Sequence, residues 1–175
     1  MTFLSTELIE EISKESSGGR YLHAAKLTGE RRVRFLGKGV TGVGGWYDKK
    51  PLRFEAMPEQ LPELDPDYNG QPGTLRRFIA SVIWDYEDQE FKIWEITQRT
   101  LMDQLFKYMK DSDYGDPNNY DVKVDKSESS GRTKYTLVAA PPKPLPKTVA
   151  SAYEKLHCNL HALFDGEDPW KAPAA

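Results

Sequence analysis

Cysteine occurs once in the 175 residues, at Cys158, so the chain cannot form an internal disulfide. A reducing cytoplasm is therefore the default setting. Long apolar runs are missing too. None approaches the ~20 residues that a membrane-spanning helix needs. The first residues, MTFLSTELIEEISKESSGG, are acidic and polar, unlike a secretory signal peptide. Strong charge of either sign is also absent: the formal net charge is -3, which by itself does not favour nucleic acid. The distribution of charge is more informative than the total. The length suits one domain with a real core plus tails.

Recognised catalytic patterns are lacking as well. GKGVTG, Gly37 to Gly42, matches the spelling G-x-G-x-x-G. A dinucleotide site also needs a helix to follow, because its N-terminus holds the pyrophosphate. Here VGGWYDKKP follows, with two more glycines and a proline. The match is rejected in favour of a flexible turn region. No Gly-Lys-Ser/Thr phosphate loop, nucleophile elbow, or hydrolase or deaminase signature is found. His157 and His161 stand i, i+4 on an expected helix, a spacing that can hold zinc. No Glu follows His157 and there is no second cysteine, so helix-surface histidines are the simpler account and no metal or other cofactor is expected.

Cations and aromatics are what the chain does have. Between Arg20 and Arg53 lie Arg20, Lys26, Arg31, Arg32, Arg34, Lys38, Lys49, Lys50 and Arg53, against only Glu30 and Asp48. Acidic segments flank this basic body: Glu59, Glu63, Asp65 and Asp67 on one side, Asp165, Glu167 and Asp168 at the far end.

RRVRFLGKG alternates and reads as a strand, and GVGGWYDKKPLRFE continues as a bent strand or hairpin. Met57 to Gly73 is a Pro-, Glu-, Asp- and Gly-rich loop. LRRFIASVIWDY and EFKIWEIT form a hairpin over a short acidic turn. Thr97 is a candidate cap for a helix over QRTLMDQLFKYMKD, with Leu101, Leu105 and Met109 at helical spacing. YDVKVDK and RTKYTLVAA follow as two strands, then the stiff linker PPKPLP. KTVASAYEKLHCNLHALF reads as a second helix with Val149, Tyr153, Leu156, Leu160 and Leu163 near one face. A further short helix is expected around Thr6 to Ser13.

The order strand, strand, strand, helix, strand, strand is that of the OB-fold, a five-stranded, partly open barrel. The expected class is therefore mostly β with helices, with a helix between strands 3 and 4 and an extra C-terminal helix. A sandwich or another α+β sheet remains an alternative.

Trp46, Tyr47, Trp84, Tyr86, Phe91, Trp94, Tyr120 and Tyr135 exceed what a small barrel usually encloses. Basic residues are interleaved with them. Single-strand binders need this combination: cations track phosphates, while rings stack on bases at ~1–3 kcal/mol each. The candidate contacts for single-stranded DNA are Arg31, Arg32, Arg34, Trp46, Tyr47, Lys49, Lys50, Arg53, Arg76, Arg77, Tyr86, Lys92, Trp94, Lys123, Arg132, Lys134 and Tyr135. Trp46, in a glycine-rich and cation-flanked segment, is the best single platform. Gly166 and Pro169 disfavour helix after Phe164, so a mobile tail is expected there.

FIASVIWDYEDQEFKIWEITQ, DYGDPNNYDVKV, YTLVAAPPKPL and ALFDGEDPW together resemble the OB-fold single-stranded DNA-binding proteins of tailed phages, over roughly Arg31 to Trp170. The resemblance implies an OB-fold, a role in replication or recombination, no catalysis, and a host-cytoplasmic location. It also implies an acidic C-terminus that captures partners or competes with DNA, here Asp165, Glu167, Asp168 and Trp170. The chain departs from the family in ending KAPAA, and in lacking the cysteines of relatives that hold zinc. The expected organisation is a polar extension at 1–19, an OB-fold single-strand-binding domain at 20–140, a linker and helix at 141–164, and an acidic tail at 165–175. The expected function is sequence-independent binding that protects and melts single-stranded DNA. The alternative is a protein-interaction module, an adaptor or inhibitor of a host protein, that uses the aromatic surface.

Overall fold

The computed structural model describes residues 20–171, so the helix expected around Thr6 to Ser13 lies outside the described residues. Among the described residues seven strands form one sheet. They are β1 (Tyr21–Leu22), β2 (Arg31–Tyr47), β3 (Lys50–Phe54), β4 (Arg76–Asp85), β5 (Glu90–Ile96), β6 (Asp121–Ser129) and β7 (Arg132–Ala139). Helix α1 (Arg99–Lys110) joins β5 to β6, and α2 (Lys147–Glu154) follows β7. The strand order is β1-β5-β4-β2-β6-β7, with β3 also paired to β2. The result is an open sheet that curls around its core. Among the described residues the edge strands β1 and β7 do not pair, so the sheet does not close.

The long β2 organises this curl. β4 pairs along most of its length, while β6 takes Arg31–Arg34 and β3 takes Val43–Tyr47. A bulge makes the bend between them. The pairing steps from Leu36↔Val82 to Val40↔Ala80, so β2 carries two extra residues there. Gly37 sits in this bulge at φ 67°, and a Cβ on it would fall on the Tyr153 hydroxyl. The GKG spelling thus serves a bend in a strand.

Three turns are as short as their sequences suggest. Glu87 and Asp88 hydrogen-bond through their backbone N–H groups to Asp85 Oδ1 in the acidic β4–β5 turn. Ser130 and Gly131 both have positive φ between β6 and β7. Asp48 and Lys49 do likewise between β2 and β3, which matches the twist of a tight hairpin.

The inner face of the sheet buries Val33, Phe35, Ile83, Trp94, Ile96, Val122, Val124 and Leu137 against Leu101, Met102 and Leu105 of α1. Phe35 and Trp94 stack with ring centroids 5.5 Å apart. Two local expectations differ in detail. The residue at the α1 N-cap is Gln98, not Thr97, and Met102 is buried while Met109 is exposed. The 3.6-residue period rotates Met109 past the sheet edge by the last turn.

The outer face carries a second core. Leu36, Phe78, Ala80, Val82, Trp84 and Ile93 pack under Val149, Leu160 and Leu163, with Tyr153, Phe164 and Trp170 partly buried beside them. The expected C-terminal helix stops at Glu154; the chain then extends and re-enters as a 3-10 segment, Leu160–Asp165. The predicted apolar residues do cover one face, but that face is made by folding back across the sheet. The expected mobile tail is also corrected for 165–171. The backbone N–H of Asn159 donates to the Pro169 carbonyl at 2.8 Å, and the Arg20 guanidinium lies 4.5 Å from the centroid of the Trp170 ring. No helix among the described residues is long and apolar enough to cross a membrane.

Candidate nucleic-acid interface

Residues directly opposite in a ladder share a face of the sheet, and neighbours along a strand alternate. This rule sorts the expected contact residues. Arg32, Arg34, Tyr86 and Lys123 point outward at one end of β2, whereas Arg31, Lys92 and Trp94 point inward.

Three expected contacts are corrected. Trp94 is fully buried in the inner core and offers no face to a base. Arg34 is 1% exposed, with Nε 2.6 Å from Asp121 Oδ1 and its terminal nitrogens donating to the carbonyls of Asn118 and Lys143. It ties β2 to β6 and to the linker. Lys92 is buried, with Nζ 2.9 Å from Asp85 Oδ2 and also bonded to Asp88. Burial works to lower the Lys92 pKa, but these hydrogen bonds outweigh it and hold the ammonium above its usual range. Arg31 joins the same cluster, 2.7 Å from Asp85 Oδ2 and within 3.5 Å of Glu87. Two cations there face four carboxylates, counting Glu90, so this end of the sheet is a closed structural network. Arg53 is likewise held, in a two-pronged pair with Glu95 at 3.1 and 2.7 Å. Tyr135 is half-buried against the inner core.

Two groups of expected contacts stay accessible. The first is the β2–β3 hairpin tip. Trp46 is 58% exposed and Tyr47 48%, and Lys49 and Lys50 are exposed beside them. Exposed Arg76 and Arg77 lie opposite Gly44 and Val43 on the neighbouring strand. The tip is held in shape by Asp65. Its carboxylate accepts the backbone N–H groups of Asp48 at 3.0 Å and Lys49 at 2.7 Å. Its own N–H donates to the Trp46 carbonyl at 2.8 Å. Positive φ at two non-glycine residues is strain that surrounding contacts must hold, and Asp65 supplies those contacts.

The second group surrounds Asp121, which is fully buried. Asp121 Oδ2 accepts from Arg32 Nε at 2.8 Å, and Oδ1 accepts from the Tyr86 hydroxyl at 2.8 Å as well as from Arg34. Lys143 Nζ stands 3.5 Å from Oδ2. Burial alone would raise the Asp121 pKa; the bonds from Tyr86, Arg34 and Arg32 outweigh it and keep the carboxyl below its usual range. Tyr86, desolvated and bonded to a carboxylate, is pushed up to about 12 and stays protonated. Its ring lies 5.9 Å from the Arg32 guanidinium carbon. Lys123 pairs directly with Arg32 across the β2–β6 ladder, and exposed Lys134 and Arg132 lie further along β7.

Between these groups the outer face is covered by the chain from Val149 to Trp170. Beside the bulge this segment leaves a cleft of about 510 Å³, lined in part by Lys38, Tyr153, Cys158 and His161. Burial raises the Cys158 pKa to about 11. Asp165, Glu167 and Asp168 are exposed on the turn before Trp170. The helix face that was to align His157 with His161 does not form, and no group of three metal-ligating side chains is found among the described residues.

Asp65, Asp121 and Lys143 were not expected as site residues. Their signal is the partner they meet in space, 16 to 109 residues away, which strand patterning does not encode. No protein-family model, curated protein or solved structure matches the chain.

Proposed function

We propose that the protein binds single-stranded nucleic acid, DNA by the resemblance to the phage proteins, at the two accessible groups that flank the covered part of its outer sheet face. The observation that carries this reading is the β2–β3 hairpin tip. Trp46, Tyr47, Lys49 and Lys50 stand in solvent on a turn that Asp65 braces from behind. Two exposed rings beside two exposed lysines are the combination that single-strand binders use, rings for bases and cations for phosphates. Bases stack on rings without base-specific hydrogen bonds, so binding is sequence-tolerant.

The same reading takes the sheet as an OB-fold. β2, β4, β5, β6 and β7 supply the five strands in order and α1 lies between the third and fourth, while β1 and β3 are additions. OB-folds bind strands beside the loops that here are the β2–β3 hairpin with its following loop and the β6–β7 turn. Both carry unburied cations.

The test is a titration of the full chain with oligo-dT, followed by tryptophan fluorescence, against duplex and RNA of equal length. Single-strand binding that quenches fluorescence and weakens steeply with salt supports the reading. Equal affinity for duplex, or binding indifferent to salt, sinks it and favours an aromatic surface for protein contact.

A further inference from the structure

We infer that the cluster around Asp121 is a seat for one phosphate group, filled by a phosphodiester of the bound strand. This deepens the proposed function and rests on it. The argument is a local charge surplus. Arg32, Arg34 and Lys143 all lie within 3.5 Å of one carboxylate, and none of the three has another acidic partner within ion-pair distance among the described residues. Three positive charges and one negative leave two uncompensated on the outer face. The Asp85 cluster, on the inner face of the same strand end, has the opposite balance and is closed.

The surplus is also pointed outward. Arg34 uses Nε and both terminal nitrogens on protein oxygens and is buried. Arg32 uses only Nε, so its two terminal nitrogens have no hydrogen bond among the described residues, and its side chain is 36% exposed. Lys143 Nζ approaches the same Oδ2 oxygen as Arg32 Nε and is half-exposed. Two cationic heads that share one oxygen stand side by side, with their remaining donors toward solvent. That is the donor set for a tetrahedral oxyanion, and the guanidinium fork suits two of its oxygens. Asp121 acts as a positioning residue: it fixes the Arg32 guanidinium and the Tyr86 hydroxyl before any ligand arrives.

The test compares the wild-type chain with Arg32→Gln, Lys143→Gln and the control Lys107→Gln, an exposed charge on α1. Oligo-dT affinity is measured across a salt series, and melting is measured with and without 10 mM inorganic phosphate. The seat predicts that Arg32→Gln and Lys143→Gln each lower the salt slope by about 0.7, the loss of one phosphate contact on a single strand. Lys107→Gln leaves the slope unchanged. Phosphate should raise the melting temperature of wild type and not of Arg32→Gln. If wild type binds oligo-dT and both variants bind with the control's affinity and slope, the seat is wrong and the single-strand reading survives. If wild type does not bind oligo-dT, the single-strand reading fails and the strand-filled seat fails with it. A phosphate effect lost in Arg32→Gln would then assign the site to free phosphate. Should Arg32→Gln fail to fold, Lys143→Gln, on the exposed linker, decides both arms.

Discussion

Replacing Asp121 by asparagine removes one negative charge and almost no volume. Asparagine keeps one acceptor oxygen, so the change isolates the charge. What remains is the fully buried Arg34 guanidinium without its counter-ion, and Arg32 and Lys143 beside it. Breaking a buried ion pair from one side costs about 3–5 kcal/mol, because the other charge stays desolvated. Against a total stability of roughly 5–15 kcal/mol, that is about a fifth of the fold or more. At roughly 2–4 °C per kcal/mol for a chain of this size, the melting temperature should fall by about 6–20 °C. Urea unfolding followed by tryptophan fluorescence measures the loss directly, since Trp84 and Trp94 are both buried.

The effect should also depend on pH. The native Asp121 carboxyl titrates below its unfolded value. Its contribution is therefore complete above about pH 4, the unfolded range, and disappears as pH falls through the lower native value. The gap between wild type and Asp121→Asn should close on acidification. Asp88 and Asp116, both also held low, keep weakening wild type and variant alike in that window. Arg32→Gln, at a half-exposed position, should cost under about 1 kcal/mol. A loss below about 1 kcal/mol for Asp121→Asn, or a gap constant with pH, would refute the account of Asp121 as the charge that holds this end of the sheet together.

The two tryptophans should separate binding from stability. Trp46→Ala is expected to weaken oligo-dT binding by ~1–3 kcal/mol with little change in melting, and Trp94→Ala to destabilise by ~3–5 kcal/mol; the reverse pattern in paired melts and titrations would overturn the site assignment. A Cβ at Gly42 would lie 2.8 Å from the Phe164 ring and collide with the Phe54 carbonyl. Gly42→Ala should therefore cost ~1–3 kcal/mol and speed thiol labelling of Cys158, and unchanged labelling and melting would show that the C-terminal segment docks independently of Phe164. Gln104 on α1 donates to the Tyr135 carbonyl and accepts the Leu137 N–H, covering the outer edge of β7. Gln104→Ala should bare that edge and promote concentration-dependent association in light scattering; a variant that stays as monodisperse as wild type would argue against the capping role.

Strands, turns and the main helix were legible because their signals are local. Alternation in RRVRFLGKG, the β-rich run LRRFIASVIWDY, the acidic turn at Glu87–Gln89 and the Ser130–Gly131 turn each act within a few residues, and each element forms close to where it is read. The C-terminal helix differs for a related reason: its apolar spacing is real, but the helix ends at Glu154, and Val149 before the break and Leu160 and Leu163 after it pack in one cluster with Phe78 and Val82.

The candidate site was legible only as a pool of residue types. Whether an arginine is a contact or a brace depends on the carboxylate it meets. Arg34 meets Asp121 87 residues away, and Arg53 meets Glu95 42 residues away. Trp46 and Trp94 are the same residue in similar company along the chain, yet one crowns a hairpin and the other fills the core. By itself the sequence determined a β-rich chain with a basic, aromatic body and the turns that let it curl. Tertiary structure decided which cations are neutralised and which retain free donors, because charge balance is a property of neighbours in space, brought together by strand pairing over long stretches of chain.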